Sequence, residues 1–474
     1  MTTPAQEFLR AAAQESADIP RRKAIRHAVD QYDAAVQHGR QQFLDYEGAR
    51  QKCYEIKWEA LNHLDEYLVE FEKNVNARGG HVFWADTAED ARGYIAALAT
   101  QRGVRTVVKS KSMVTEEIHL TAALEKLGMR VFETDLGEFI VQLRNEPPFH
   151  IVTPAMHLTR ADIAKLFREK LADAMSSGAS SEEPPELVAA ARRALRQAFF
   201  SAEMGITGAN FLIADAGMIA ITTNEGNDRL GTAVPRIHVA IAGIEKVVPR
   251  LEDLAMLWPV LATAGTGQTI ACYNSLIGGP RASGEIDGPE EFHVVLLDNG
   301  RTNLLADAEQ RDVLHCIRCG SCLNACPVFR TVGGHAYGTT YSGPIGSVLT
   351  PHLRGLNEFQ HLSYASSLCG ACTSACPVKI DLHHHLLHNR RNAVNDADRP
   401  WSERAGFKLW KWAMQSARRF AFVGSVGRAA VRGLHRLGLA GTFLDPLRTW
   451  TKFRAAPPIP RKSFRAMWRE NGSR

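Results

Sequence analysis

The sequence predicts a mixed α/β fold that continues into a helical module and ends in a basic helical tail. Three observations support this prediction. Strand and helix patterns alternate between residues 81 and 173, most cysteines fall in one short segment, and the C-terminal part is rich in arginine. At 474 residues the chain is too long for one ordinary core. We therefore expect four regions, at 1–77, 78–302, 303–398 and 399–474.

The first region is expected to be helical and to pack against the α/β region. It has long stretches without proline or glycine, and its apolar residues recur at helical spacing, as in Leu61, Leu64 and Leu68. The Gly79-Gly80 pair marks its end. This region contains Cys53, which with Cys272 lies apart from the other cysteines. We interpret both as buried apolar residues.

The α/β region opens with a strand in HVFWAD (81–86), followed by a helix for which Thr87 is the expected N-cap. The strand TVVKS (106–110) comes next, then a helix expected to begin at Thr115 and to end at Gly128, then the strand MRVFETD. Strands that alternate with helices indicate parallel β-α-β units. The stretch 176–186 is a loop by composition, and apolar strand-like runs resume after it.

The composition is that of a folded protein, with 45% hydrophobic and 23% charged residues. No stretch approaches the roughly 18–20 apolar residues of a membrane span. The first residues lack the apolar core of a signal peptide, so we expect a cytoplasmic protein. In that compartment, clustered cysteines indicate metal ligands or redox groups rather than a disulfide framework.

The first cysteine motif is CIRCGSCLNACP, which is the run C-x2-C-x2-C-x3-C-P of bacterial ferredoxins. Two-residue gaps allow a tight loop to direct three thiolates at one cubane cluster, whereas the fourth cysteine points to another cluster. A zinc site is the alternative, because CxxC pairs also bind Zn²⁺. A triple run followed by CP, with CP recurring later, favours iron–sulfur clusters.

The second motif, CGACTSACP, matches the last three cysteine positions of the first, with Ser366 where the missing cysteine would stand. We therefore predict two clusters of the [4Fe–4S] type with crosswise ligation. The expected ligands of cluster 1 are Cys316, Cys319, Cys322 and Cys376, and those of cluster 2 are Cys326, Cys369 and Cys372. The fourth place on cluster 2 is open to Ser366, to solvent, to a side chain of a partner or to an empty corner, as in [3Fe–4S].

The stretch that separates Pro327 from Leu368 contains helix-like apolar residues and is longer than a compact β-ferredoxin requires. It favours a mainly helical ferredoxin module.

Two polar stretches of the α/β region are candidate ligand sites. Lys109, Ser110, Lys111 and Ser112 follow a strand and precede a helix, where an anion could bind. Asn224, Glu225 and Asn227 follow another strand end, and ligands bind beyond the carboxyl ends of strands in open α/β sheets. The alternative interpretations are a solvated capping loop and an ordinary turn. No Walker loop and no convincing GxGxxG motif occur.

The tail (399–474) holds 17 Lys and Arg against 3 Asp and Glu, interspersed with aromatic residues such as Trp410 and Phe420. We expect it to contact a protein partner, with a peripheral membrane surface as the second possibility. Because no nucleic-acid-binding module is recognisable, we do not expect a nucleic-acid partner.

The ordered segments VVKSKSMVTEEI (107–118), HIVTPAMHLTRADIAKLF (150–167) and ITGANFLIADAGMIAITTNEGN (206–227), together with both cysteine motifs, resemble the lactate utilisation protein B family. Members of this family are iron–sulfur subunits of a three-protein, NAD-independent system that oxidises L-lactate in bacteria. The resemblance implies a CoA-transferase/sugar-isomerase-like α/β domain followed by an α-helical two-cluster ferredoxin domain. It also implies the seven-cysteine ligation described above.

The leading hypothesis is therefore an electron-transfer subunit that works with the other subunits of the lactate oxidation system and a possible quinone-linked acceptor. It would not be an autonomous enzyme. Two alternatives remain open at the level of the sequence. The α/β domain itself could bind and oxidise a hydroxy acid, or the chain could be a relay subunit of another flavin- or quinone-linked dehydrogenase.

Overall fold

The computed structural model describes residues 2–175, 182–396, 401–445, 447–451, 454–455 and 458–472. The chain forms two compact units, Met1–Ala397 and Asp398–Arg474, and each is described by itself. The expected boundary between residues 398 and 399 lies outside the described residues, as does most of the expected loop at 176–186. The end of that loop is helical instead, because a helix begins at Pro184, and proline fits the first helical turn.

The first region consists of four helices: α1 Pro4–Ala17, α2 Ile19–Gly39, α3 Tyr46–Asn62 and α4 Leu64–Ala77. Helix α4 packs against the α/β region, as expected. Helix α1 contacts the cysteine-rich segment instead, and α2 contacts both that segment and the α/β region. The ring of Phe8 lies 5.7 Å from that of Tyr337, and Arg330 forms an ion pair with Asp33. The helical N-terminus thus holds both neighbouring regions rather than the α/β region alone.

Ten strands occur in the described residues: β1 His81–Ala85, β2 Thr106–Lys109, β3 Arg130–Glu133, β4 Met204–Gly208, β5 Phe211–Ile213, β6 Met218–Thr223, β7 Ile237–Gly243, β8 Val247–Val248, β9 Tyr273–Ile277 and β10 Glu291–Leu297. Six of them form a parallel sheet in the order β1-β10-β7-β4-β2-β3. Strand β7 lies inside this sheet with every residue buried, which explains why its sequence is apolar except for His238. The predicted α/β class with parallel strands is confirmed.

The sequence did not predict a second sheet, which has four strands in the order β8-β5-β6-β9. Its β5–β6 pair is an antiparallel hairpin that turns at Gly217, where φ is +57°. Both sheets bury their apolar strands, and the residues that follow their strand ends form part of the candidate site described below.

The helices of this region are α5 Ala88–Gln101, α6 Met113–Glu117, α7 Leu120–Lys126, α8 Leu136–Arg144, α9 Arg160–Lys170, α10 Pro184–Ser201, α11 Asn227–Ala233, α12 Leu254–Thr266 and α13 Arg301–Ala306. Thr87 caps α5 as predicted. The helix predicted over 115–128 is wrong in two respects. The cap is Ser112, whose Oγ accepts from the Thr115 N–H, and the left-handed residue His119 (φ +51°) separates α6 from α7.

The cysteine-rich segment is helical: α14 Ser321–Ala325, α15 Phe329–Val332, α16 Gly343–Arg354, α17 Leu356–Tyr364, α18 Ala371–Ala375 and α19 Leu382–Asp396. Short 3-10 turns lie at Arg40–Gln42, Ala172–Ala174, Ile244–Lys246, Leu251–Asp253, Arg311–His315 and His335–Tyr337. Helices α14 and α18, one from each cysteine motif, pack against each other.

The second unit contains α20 Trp401–Met414, α21 Ala417–Arg436, α22 Arg448–Thr451 and α23 Phe464–Asn471. Large apolar side chains such as Trp401 and Trp410 are exposed beside its basic residues. Among the described residues, no helix is both long enough and apolar enough to cross a membrane.

Candidate functional site

The first cysteine motif lies on a loop with two left-handed residues. Arg318 has φ +63° and Gly320 has φ +79°, and α14 begins directly after this turn. The N–H of Arg318 donates to Cys316 Sγ at 3.4 Å. The loop therefore reverses direction tightly enough for three successive cysteines to approach one another.

The second motif repeats this backbone. Leu368 and Gly370 are left-handed, with φ +55° and +79°, and α18 follows. The N–H of Leu368 donates to Ser366 Oγ at 3.1 Å. Ser366 thus occupies the position that Cys316 has in the first motif and makes the corresponding hydrogen bond.

The seven thiols fall into two sets according to their electrostatic interactions. Cys322 interacts with the other members of the first thiol set, which consists of Cys316, Cys319, Cys322 and Cys376. Cys372 interacts with the other members of the second thiol set, which consists of Cys326, Cys369 and Cys372. Each set therefore draws cysteines from both motifs, and the last cysteine of each motif joins the set of the other.

The donor chemistry of these sets fits iron–sulfur clusters. Burial raises the pKa of the Cys319 and Cys372 thiols to about 11, so a bound cation is needed to hold them as thiolates. Cysteine thiolates are the ligands of iron–sulfur clusters, and the first set supplies four such donors and the second set three.

The two thiol sets differ in exposure at one member each. Cys369 of the second set is exposed, whereas the most accessible member of the first set, Cys316, is half-buried; the other thiols of both sets are buried. The backbone N–H of Ala371 lowers the pKa of Cys369. Outside the sets, Cys53 is buried as predicted, whereas Cys272 is exposed, contrary to the prediction.

A cavity of about 510 Å³ adjoins the first thiol set. Residues from the helical N-terminus, both sheets and the cysteine loop line it. It brings together six of the residues predicted from the sequence: Ser110, Lys111, Ser112, Asn224, Glu225 and Asn227. Cys319 lines the same cavity. The two polar stretches of the α/β region therefore face one space, and that space reaches a cysteine of the first motif.

Lys109 does not line this cavity. Its side chain is fully buried on the other side of the sheet edge, where its ammonium lies 3.0 Å from Glu133, 3.1 Å from Glu116 and 3.7 Å from Glu138. Burial acts to lower the pKa of Lys109, but the three carboxylates raise it overall. Lys109 is therefore committed to carboxylates of its own chain and is not free to bind an external anion.

Glu225 is the cavity carboxyl with a perturbed pKa. Burial and then the neighbouring Asp135 raise the pKa of Glu225 to about 7. The Leu136 N–H donates to its Oε2 at 3.2 Å. The side chain thus changes charge near neutral pH. Of its neighbours, Asn224 pairs with Gln268, whereas the Oδ1 atom of Asn227 has no hydrogen-bond partner among the described residues.

The basic side of the cavity includes residues that the sequence analysis did not assign to it. Lys246 ends the 3-10 turn Ile244–Lys246 that follows β7, and Arg318 lies in the first cysteine motif. Burial and then Arg318 lower the pKa of Lys246 to about 8. Lys246 could have been found by the rule that identified Ser110 to Ser112, because it too follows the carboxyl end of an apolar strand.

Buried ion pairs connect the cysteine loop to the α/β region. Arg318 lies 3.4 Å from Glu245, and Arg301 lies 2.6 Å from Glu245 and 2.8 Å from Glu117. The guanidinium of Arg318 also covers the Tyr341 ring at 4.6 Å, and the Tyr341 hydroxyl donates to Glu117 at 2.6 Å. These contacts fix the cysteine loop against the end of β7.

The sequence matches two domain families. Residues 68–297 match the LUD domain, and residues 312–380 match the 4Fe-4S dicluster domain. The "Lactate utilization protein B" of Anoxybacillus flavithermus is 43% identical over 435 residues, which is 91% of each chain. The protein of the same name from Bacillus pumilus is 44% identical over 423 residues, covering 89% of this chain and 88% of the relative.

The fold and the cysteine site define an iron–sulfur protein in which a LUD domain precedes a ferredoxin-type module. Its clusters are of the 4Fe–4S kind. Because the similarity extends over about nine-tenths of the chain, it belongs to the lactate utilization protein B family and has an iron–sulfur role in lactate utilisation.

Proposed function

We propose that this chain carries electrons within a multi-protein system that oxidises L-lactate to pyruvate. Two observations support this role: the family membership and the division of seven thiols into two sets. The proposal depends most on the division of the seven thiols into two sets. When bound, each cluster accepts and releases one electron, so two clusters in sequence can connect a substrate site with an acceptor.

For the ligands we propose the crosswise assignment, with the first thiol set on cluster 1 and the second thiol set on cluster 2. The electrostatic interactions of Cys322 and Cys372 support it. As the fourth ligand of cluster 2 we propose Ser366. Its Oγ accepts a hydrogen bond from the residue two positions along the chain, just as Cys316 Sγ does.

The different burial of the two sets supports an order for the relay. The first set adjoins the cavity through Cys319, whereas the second set has an exposed member, Cys369. We propose that electrons enter on the cavity side and leave to a partner at the surface around Cys369. The acceptor would be another subunit or a quinone-linked protein.

The proposed division of labour follows the sequence regions. The α/β domain (78–302) would receive or dock the electron donor, and the helical module (303–398) would hold the clusters. For the tail (399–474) we propose contact with a partner subunit or with an anionic membrane surface, supported by its excess of Lys and Arg and by exposed Trp401 and Trp410. No role in nucleic-acid binding is proposed.

A second candidate function is that the α/β domain itself binds a hydroxy acid and takes part in its oxidation. The cavity favours this candidate, because it collects Lys111, Glu225 and Asn227 next to Cys319. Lys109 does not support this candidate function, because its ammonium already forms ion pairs with three glutamates.

The relay is tested on full-length protein purified without oxygen. We expect iron and acid-labile sulfide in amounts sufficient for two clusters, and electron paramagnetic resonance (EPR) signals from both after reduction. Cys319→Ala should remove one signal and Cys372→Ala the other, while the control Cys272→Ser leaves both. Lactate-dependent reduction of an acceptor by the assembled system should be lost in both alanine variants. Stoichiometric zinc without iron, or full activity of both variants, would refute the relay.

A further inference from the structure

Lys246 is a buried cation that lacks a direct partner. Its side chain is 6% exposed and lines the cavity. Within the part of the chain that the structure describes, the ammonium makes no hydrogen bond and has no carboxylate within ion-pair distance. A buried charge of this kind is costly unless an ion of opposite sign compensates it. Glu245 and Cys316 favour the charged form of Lys246 from beyond ion-pair distance, but Glu245 already pairs with Arg301 and Arg318. The ammonium therefore lacks a partner in direct contact, and the position favours an anion in the cavity.

The other cations of the cavity already have partners. Lys111 donates to the backbone carbonyl of Val152, and Arg318 pairs with Glu245. On the acidic side, the Leu136 N–H holds Glu225. Lys246 is thus the lining cation that remains available, and Asn227 Oδ1 is an acceptor of the same lining without a partner among the described residues.

Most of the remaining wall is apolar. The apolar side chains that line it come from several elements and include Met113, Leu136, Ile140, Ile221, Ile241 and Leu261. A volume of about 510 Å³ falls within the range of roughly 300–1,000 Å³ that is typical of sites for organic ligands and cofactors. The cavity therefore suits a molecule with an apolar body and one anionic group better than it suits an inorganic ion.

We propose that this cavity binds an organic anion, whose carboxylate or phosphate pairs with Lys246 and whose apolar body packs on the surrounding wall. The proposal rests on the proposed electron-transfer function, because Cys319 lines the same cavity and the bound molecule would lie beside the first thiol set. Two sources offer this chemistry. One is a hydroxy or oxo acid such as L-lactate or pyruvate, and the other is a phosphate-bearing aromatic cofactor such as flavin mononucleotide.

The test uses the full chain with its clusters, purified without oxygen. L-lactate, pyruvate and flavin mononucleotide are titrated separately by calorimetry into the wild type and into Lys246→Met, which keeps the side-chain length but removes the charge. Lys165→Met, on the exposed face of α9, is the matched control. We expect at least one of the three molecules to bind the wild type and the control alike, and Lys246→Met to weaken that binding at least tenfold.

A second measurement tests whether the bound molecule lies beside the first cluster. The bound molecule should change the EPR line shape of the reduced wild-type protein, and this change should disappear in a variant that lacks the first cluster, such as Cys319→Ala. If lactate or pyruvate is the molecule that binds, the cavity is a substrate site; if only the flavin binds, it is a cofactor site.

The inference fails if none of the three molecules binds the cluster-loaded wild type, or if Lys246→Met binds as tightly as the control. Should Lys246→Met not fold, Glu225→Gln replaces it. At pH 8 this variant removes a negative charge from the lining and should bind the anion several-fold more tightly, and an unchanged affinity would overturn the proposal. If both EPR signals are intact but none of the three molecules binds, the cavity proposal fails and the electron-transfer proposal stands. If a molecule binds but the protein contains no iron, only the electron-transfer proposal fails.

Discussion

The two cysteine motifs share a backbone but lie in different surroundings. Both turn through a left-handed residue pair, Arg318 and Gly320 in the first motif and Leu368 and Gly370 in the second. The first motif is enclosed by the cavity and by buried ion pairs, whereas Cys369 of the second is exposed. The comparison shows that the same loop backbone occurs twice, once beside an enclosed cavity and once at an exposed surface.

The largest expected difference is in stability. Cys322→Ala removes a buried ligand of the first set, and we expect it to lower the free energy of unfolding by about 4 kcal/mol or more, because a buried cofactor site is lost. Cys369→Ala acts at an exposed position and should cost clearly less. Denaturant titration of oxygen-free protein measures both, with Cys272→Ser as the control. Equal losses would show that the two sites contribute alike to the fold.

The next largest effect is expected on a reduction potential. The two motifs differ at one ligand position, which is Cys316 in the first motif and Ser366 in the second. Replacing an oxygen ligand by a thiolate stabilises the reduced cluster, so Ser366→Cys should raise the reduction potential of cluster 2 by about 100 mV. The potential of cluster 1 should not change. An EPR-monitored redox titration measures both potentials, and Cys272→Ser, outside both thiol sets, serves as the control. If cluster 2 keeps its potential, Ser366 is not a ligand.

A smaller effect is expected from exchanging the residue that precedes the second cysteine of the loop. Arg318→Leu makes the first motif resemble the second, and Leu368 shows that leucine tolerates the left-handed conformation there. Losing the positive charge beside Cys316 should lower the potential of cluster 1 by about 50 mV. The same redox titration tests this, and a rise in the potential would contradict it.

The smallest effect is a dependence on pH. Because the pKa of Glu225 is about 7, this carboxyl is largely neutral at pH 6 and largely ionised at pH 8. The added negative charge disfavours reduction, so the potential of cluster 1 should fall by about 20 mV across this interval while that of cluster 2 changes less. Glu225→Gln should reduce the difference between the clusters, and the part that remains is expected from Lys246, whose pKa is about 8. An equal shift of both potentials in wild type and variant would exclude Glu225 as its cause.

The sequence predicted those elements that are determined by residues close together in the chain. The apolar runs of β1, β2 and β3 and the capping of α5 by Thr87 are examples, because strand burial and helix capping leave signatures within a few residues. The spacing of the cysteines led to the crosswise hypothesis for the same reason, since short gaps restrict which thiols can meet.

Other features depend on contacts between segments that are distant in the sequence. Lys109 and Lys111 are two residues apart. Lys109 nevertheless pairs with glutamates of β3, α6 and α8, whereas Lys111 lines the cavity. Nothing in the local pattern distinguishes them. The strand-end rule marks Lys246 as a candidate, but the cavity that it lines forms only when the cysteine loop packs against the end of β7.

Arg50 illustrates how the order of synthesis constrains this fold. Its guanidinium donates two hydrogen bonds, at 3.0 and 2.7 Å, to the backbone carbonyl of Cys376, which lies 326 residues further along the chain. Helix α3 therefore emerges from the ribosome long before its partner exists, and contacts across such separations form slowly. The last thiol of the first set is synthesised together with that anchor, so neither the first thiol set nor this contact is complete before the segment around Cys376 has been made.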